Sequence, residues 1–383
     1  MKTTHYFIGL SIFLLLVSCI QDKASWFWSF ECQYPVNPHI DMTKQELIEY
    51  KIRIPMKTIR QILTCIMAGS VCYACHVEPK EKQPSIETAK KEYLKRESIF
   101  IDAVIHPARM AIGNNQLYIS CFSCDTMVYT FSLPDLTLLN SHGIKGNGPE
   151  DFMFPVFTQA FDNIVSMWGY TDLRKVKLCK VDTSGVFTKV AEFMLPENKA
   201  YNQLFTQGDS VAFYNDFPPN LTLKKLDLKQ GKELKEHTFE MDQSKGNSFF
   251  AQNKGDLCVS SKGLAYLYYY KDRIDFFDLD FQPIQTHAPQ KVKQQIDTQD
   301  WQNSTIYYIA SYAGDQYLYA IKLADRLNAN AKDCTLEIFG WDGTLINSYS
   351  LNPVIDLFVV DESNQMLYGV NREWPDYIYK FKL

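Results

Sequence analysis

The segment SHGIKGNGPEDFMFP, residues 141–155, is the first place where chemistry could reside. Glycine-rich loops cradle phosphates because their backbone N–H groups approach closely, but each such loop has a required spacing. A dinucleotide loop starting at Gly146 needs a third glycine at position 151, which is Asp151, and a Walker loop would end in Lys followed by Ser or Thr where Pro149 and Glu150 stand. Acidic side chains beside the glycines also repel phosphate. The segment is better read as a corner, with glycines permitting positive φ, Pro149 setting a turn and Phe152 plugging a gap between packed layers.

Cys121-Phe122-Ser123-Cys124 has CxxC spacing. A zinc site needs a second pair of ligands, and none follows. A redox pair normally opens a helix, whereas this one closes a β-like run. In extended chain the two Cα atoms would be ~10 Å apart, beyond the ~7 Å reach of a disulfide, so only a turn beginning at Phe122 would let them bond. Past Cys75 the chain has Cys121, Cys124, Cys179, Cys258 and Cys334; the odd number predicts at least one free thiol or an intermolecular pair. His106, His142, His237 and His287 fall in separate parts of the chain. No G-x-S-x-G or H-E-x-x-H occurs, so the common hydrolase and zinc-protease signatures are missing.

The elements that would position these residues repeat. From residue 97 onward, short alternating apolar runs are separated by Gly, Asn, Asp and Pro, as expected of many strands. One theme returns six times: an aromatic-rich strand, a polar turn, then a second alternating strand. It begins at residues 116, 163, 210, 264, 316 and 365, roughly 48 residues per copy, close to the length of a four-stranded propeller blade. The runs MVYTFSL, TLKKLDL, RIDFFDL and YIYKFKL place every second side chain on one face. The expected fold is all-β, a six-bladed propeller over 97–383 with four-stranded blades; one period and no interrupting linker disfavour a two-domain sandwich. The last copy shows only three strands, and the run SIFIDAVI (98–105) has no blade of its own. That N-terminal strand is expected to complete the final blade and remove its free edge.

Composition fits this reading. Aromatics make up 14% of the 383 residues, and 23 Tyr with 25 Phe beside Val, Ile and Thr favour β structure. A net charge of −5 argues against a nucleic-acid partner.

The N-terminus reads as targeting. Lys2 precedes an apolar run of about a dozen residues, too short for the ~20 of a spanning helix, which ends in Leu16-Val17-Ser18-Cys19. This resembles a bacterial lipobox, in which the Cys is acylated. A second signal-like segment, 56–75, starts at Met56 with Lys57 and Arg60 and ends in Ala74-Cys75. Residues 1–19 are thus a lipoprotein-type signal, with Cys19 or Cys75 as the acylated residue, and 20–96 a spacer ending in a polar tether. The implied partner is a lipid membrane, and the implied location a bacterial envelope.

Six repeats, a lipobox and the motif Gly146, Gly148, Pro149, Glu150, Phe152 and Pro155 together resemble the six-bladed, TolB-like and NHL-like propeller lipoproteins of Bacteroidetes. The chain departs from that pattern where Asp151 separates Glu150 from Phe152. The resemblance implies fold and location and carries no catalytic residue with it.

In a propeller, the loops joining the second and third strands share one face with those joining blades. Here these loops contain Tyr170, Asp172 and Arg174; Asp216 and Phe217; Lys271, Asp272 and Arg273; Asp325 and Arg326; and Arg372, Glu373 and Trp374, with Lys145 and Glu150 between blades. Mixed charge with aromatics around a concave mouth suits a polar ligand such as a glycan or peptide. The expectation is a monomeric binding or protein-interaction propeller without cofactor or metal. The alternative is a propeller enzyme of lyase, glycosidase or lactonase type, with Ca²⁺ held by loop Asp residues.

Overall fold

A computed structural model describes residues 92–104, 106–146, 148, 151–161, 164–169, 174–197, 199, 201–216, 221–239, 253–288, 304–326, 331–371 and 373–383. Both signal-like segments, and with them Cys19 and Cys75, lie outside the described residues.

The described strands form six four-stranded antiparallel sheets. The first blade comprises β2 (Pro107–Gly113), β3 (Gln116–Cys121), β4 (Thr126–Ser132) and β5 (Leu138–Ile144). The second has β6 (Pro155–Phe161), β7 (Ile164–Gly169), β8 (Lys175–Val181) and β9 (Phe187–Met194). The third has β10 (Gln203–Gln207), β11 (Val211–Asp216), β12 (Thr222–Asp227) and β13 (Lys232–Thr238). The fourth has β14 (Gly255–Val259), β15 (Leu264–Tyr268), β16 (Ile274–Phe277) and β17 (Pro283–His287). The fifth has β18 (Thr305–Ala313), β19 (Tyr317–Arg326), β20 (Cys334–Gly340) and β21 (Leu345–Leu351). The sixth has β22 (Leu357–Asp361), β23 (Met366–Val370) and β24 (Tyr377–Lys382), completed by β1 (Arg96–Phe100).

The ring closes as the sequence predicts. β1 pairs antiparallel with β24, from Arg96 opposite Phe381 to Phe100 opposite Tyr377. The clasp reaches further than the one strand. Just ahead of β1, Leu94 N donates to Ser350 O and Ser350 N to Glu92 O, so this segment lies along the outer strand of the fifth blade. Arg96 adds hydrogen bonds to the carbonyl and side-chain oxygens of Asn352. One continuous segment therefore ties the fifth blade to the sixth and covers an edge that would otherwise stay open.

Burial explains why this sequence stacks into blades. The middle strands are apolar on both sides: β3, β15 and β16 are buried throughout. The outer strands β5, β13 and β17 are mostly exposed and correspondingly polar. A central strand flanked by two blades needs two apolar faces, and an edge strand needs one at most. Six buried apolar clusters result, one at each junction between neighbouring blades.

The glycine corner takes its place in this packing. Gly143 has φ +78°, and a Cβ there would collide with the ring of Phe152. Phe152, 6% exposed, fills the junction between the first two blades. Its backbone is held by Phe152 N to Ile144 O and by Gly146 N to Phe152 O. The Asp151 carboxylate accepts from Gly148 N at 2.8 Å, and a side chain at Gly146 or Gly148 would strike it. The corner's acid thus binds its own backbone amide, where a phosphate loop would leave that amide for ligand.

Candidate functional site

The six innermost strands, β2, β6, β10, β14, β18 and β22, surround an open channel of about 1720 Å³. One mouth is formed by the tight turns after these strands, including Asn114-Asn115, both in the left-handed region (φ 52° and 56°). The other is formed by the loops joining blades and those joining second to third strands, the face to which the sequence assigns binding.

At that second mouth Trp374 is 66% exposed and Glu373 stands beside it. Asn371 shapes their loop: its side-chain oxygen accepts from Glu373 N and its carbonyl from Trp374 N. Lys332, Asn352 and Asp356 line the same mouth from the fifth and sixth blades. On the fourth blade, Lys254 sets its ammonium 4.4 Å from the centre of the Tyr269 ring. Tyr269 is held by its backbone to Lys254 and Tyr307.

Deeper in the channel lies a polar waist. Asp256 on β14 accepts from Gln203 Nε2 of the third blade at 2.9 Å and from Ser311 Oγ of the fifth at 3.4 Å. Gln203 is itself fixed, its oxygen accepting from Leu257 N and Asn215 Nδ2. Burial raises the Asp256 carboxyl above the usual range, opposed by the Gln203 and Ser311 hydrogen bonds and the charges of Arg109 and Lys254. Cys258, one turn of the pleat away, donates to Ser311 Oγ at 3.2 Å. Its thiol is pushed up to about 12 by burial, so it is no nucleophile at neutral pH.

The loop residues singled out from sequence separate on the structure. Glu373 and Trp374 line the channel. Asp272 and Arg273 are both engaged by protein partners. Asp272 is buried, binding Lys322 Nζ at 2.7 Å and the Tyr308 hydroxyl at 3.2 Å, while Arg273 Nε donates to Asp275 at 2.9 Å. Lys271, its neighbour, is buried and donates to Asn253 at 3.0 Å. Arg174 pairs with Glu197 and Asp216 with Lys224. Asp325 caps Arg326 N. Lys145 lies with its ammonium 5.9 Å from the ring centre of Phe154. Glu150, Tyr170, Asp172, Phe217 and Arg372 lie outside the described residues.

Cys121 and Cys124 do form a disulfide, with Cα atoms 5.5 Å apart. β3 ends at Cys121 and the chain bends over Phe122–Asp125, the turn on which the sequence makes the bond depend. Cys179, Cys258 and Cys334 are buried and form no disulfide among the described residues.

Arg109, Gln203, Lys254, Asp256, Tyr269 and Ser311 escape a reading that looks for function in loops. Arg109 and Asp256 leave one sequence signal, a charge inside a short apolar strand, PARMAIG and GDLCV. Among the described residues no three His, Cys, Asp or Glu side chains gather as a metal site would require.

No protein-family model matches the chain, and no curated protein does. Among solved structures, it is similar to a catalytically inactive virginiamycin B lyase from Staphylococcus aureus with quinupristin, at TM-score 0.44 and 10% identity over 76% of this chain and 99% of that one. The Cps50 (Swd1) β-propeller domain of Myceliophteria thermophila gives TM-score 0.44 and 10% identity, over 75% and 100%. Raptor of Chaetomium thermophilum gives TM-score 0.43 and 9% identity, over 76% of this chain and 29% of that one.

Proposed function

We propose that this chain is a ligand-binding propeller that takes a polar ligand, a glycan, at the Trp374 mouth of its channel. The observation that carries this reading is an indole two-thirds exposed at the rim of a 1720 Å³ opening, beside Glu373 and sharing that opening with the Lys254–Tyr269 pair. A large flat ring left in water costs free energy unless a partner covers it, and a sugar offers an apolar face edged with hydroxyls. The surrounding Asn, Asp and Lys side chains supply the polar contacts that orient such a ligand.

The proposed setting is the bacterial envelope, with the propeller held to lipid through an acylated Cys19 or Cys75 as in the TolB-like and NHL-like lipoproteins of Bacteroidetes. Two features support it: the lipobox-like Leu16-Val17-Ser18-Cys19, and the Cys121–Cys124 disulfide, which suits an oxidising compartment. The test is a glycan array probed with the purified protein and with Trp374→Ala. Binding that is lost in the variant while its melting is unchanged supports the reading. Equal array profiles for the two proteins refute it.

A further inference from the structure

Among the described residues four aromatic side chains are exposed: Tyr93, Phe100, Trp374 and Tyr377. The Tyr93 hydroxyl donates to Asp333. The other three gather on the sixth blade. Phe100 ends β1 directly opposite Tyr377, the first residue of β24, and their rings meet edge to face at 5.6 Å. An edge-on contact covers only one ring face of the pair, and the two residues stay 61% and 39% exposed. Trp374 stands three residues before Tyr377 and lines the channel, whereas Phe100 and Tyr377 lie beyond it on the two outer strands. The three rings form a strip that leads from the mouth outward across the blade. Its loop is pinned at both ends: Asn371 binds Glu373 N and Trp374 N, and Ile101 N donates to Asp376 O. Pro375 fixes its own φ and holds Trp374 in extended backbone. A ligand therefore meets rings already in place, which lowers the ordering cost of binding. The stretches FIDAV (100–104) and NREWPDY (371–377) carry the acids Asp102, Glu373 and Asp376 against the single base Arg372.

We propose that this strip extends the glycan site beyond the mouth, so that the ligand is an extended, uncharged glycan chain whose successive sugar rings lie on Trp374, Tyr377 and Phe100. The inference rests on the reading of the Trp374 mouth as a glycan site and specifies the length and charge of that glycan. From β22, which lines the channel, to β1 the blade spans three strand spacings, ~14 Å, in the order β22, β23, β24, β1. A single pyranose is narrower than this and reaches one aromatic at a time, whereas a chain of sugars covers all three. Each sugar lays its C–H face on a flat ring and keeps its hydroxyls at the edge, in water, so apolar area is buried without stranding a polar group. The acidic excess repels a polyanionic chain. It also disfavours a bilayer, because anionic headgroups draw basic surfaces and this one is not basic.

The experiment is calorimetric titration of the full chain with xylohexaose, mannohexaose and cellohexaose, each beside its disaccharide, and with hexagalacturonate and phosphatidylglycerol vesicles. The expected result is that a neutral hexasaccharide binds roughly tenfold tighter than its disaccharide, and tighter than hexagalacturonate. Phe100→Ala with Tyr377→Ala brings the hexasaccharide down to the affinity of the disaccharide. Two milder changes keep the test sound if that double variant folds poorly: Phe100→Tyr retains the flat ring and the preference, and Phe100→Leu retains apolar bulk but weakens the preference. Equal affinity for hexasaccharide and disaccharide in the unmodified protein overturns the proposal, as does a preference that survives Phe100→Leu undiminished. Tighter binding of hexagalacturonate overturns it too, and vesicle binding that Phe100→Leu abolishes would make the strip a membrane surface instead. Trp374→Ala separates the two readings. If both chain lengths bind equally and both are lost in this variant, the strip falls and the mouth stands. If the long chain is preferred through Phe100 and Trp374→Ala has no effect, the mouth falls and the strip stands. No binding of any of these sugars overturns both.

Discussion

Replacing Lys322 by Met tests whether Asp272 belongs to the junction of the fourth and fifth blades and not to a ligand. Lys322 Nζ lies 2.7 Å from Asp272 Oδ1 and 3.4 Å from Glu337 Oε1, and the three side chains are 16%, 9% and 11% exposed. The Tyr308 hydroxyl is within reach of both carboxylates, at 3.2 and 3.1 Å, and it stays protonated because burial and those two acids hold it far above the usual phenol range. At an effective dielectric of about 20, the two contacts carry roughly 6 and 5 kcal/mol of gross Coulomb energy. Removing the ammonium also removes its desolvation cost of several kcal/mol, so the net loss is about 3–5 kcal/mol. For a domain of this size that lowers the melting temperature by roughly 5–8 °C. The assay is urea and thermal denaturation at pH 7.5. Lys322→Met with Asp272→Asn is less damaging than the sum of the single changes. A loss below ~1 kcal/mol would refute the reasoning.

Three further outcomes follow from the packing. Deleting residues 92–104 removes β1, its contacts to the fifth blade and the buried Ile101 and Val104; the ring then opens, melting falls and the bared β24 edge drives self-association, whereas unchanged melting and a monomeric elution volume would sink the closure. Phe152→Ala costs about 3–5 kcal/mol by denaturant titration, since its ring fills the first junction under Gly143; a loss under ~1 kcal/mol would show that the corner is not a packing device. Burial against Phe239 and Phe277 lowers the His237 imidazole below its usual range, with Asp275 opposing. The folded state thus favours neutral His237, a contribution present above the usual histidine range and lost as pH falls through it. Melting followed from pH 7.5 to 5.5 should drop less for His237→Phe than for the unmodified protein, and parallel curves would contradict this.

Much of the molecule is legible in the chain because blades are local. Each is a run of neighbouring antiparallel strands, so alternation such as MVYTFSL and a period of roughly 48 residues report the blade, its turns and the count of six. The three-stranded last copy and the spare strand before the first are likewise visible as a mismatch, and closure is their only mutual solution. Phe152 as a plug follows from an aromatic set among turn residues.

Tertiary structure alone decided which polar residues meet. Asp272 and Trp374 both lie in second-to-third strand loops with similar composition, yet one is buried against Lys322 and the other is exposed at the channel. The difference depends on Lys322, Tyr308 and Glu337, which come from the next blade. The waist is further from view: Arg109, Gln203, Asp256 and Ser311 belong to four different blades, and only ring closure brings them around one opening. Periodicity records which face of a strand is apolar. It carries nothing about which distant strand supplies the partner for a charge, because that is set by the rotation accumulated from blade to blade.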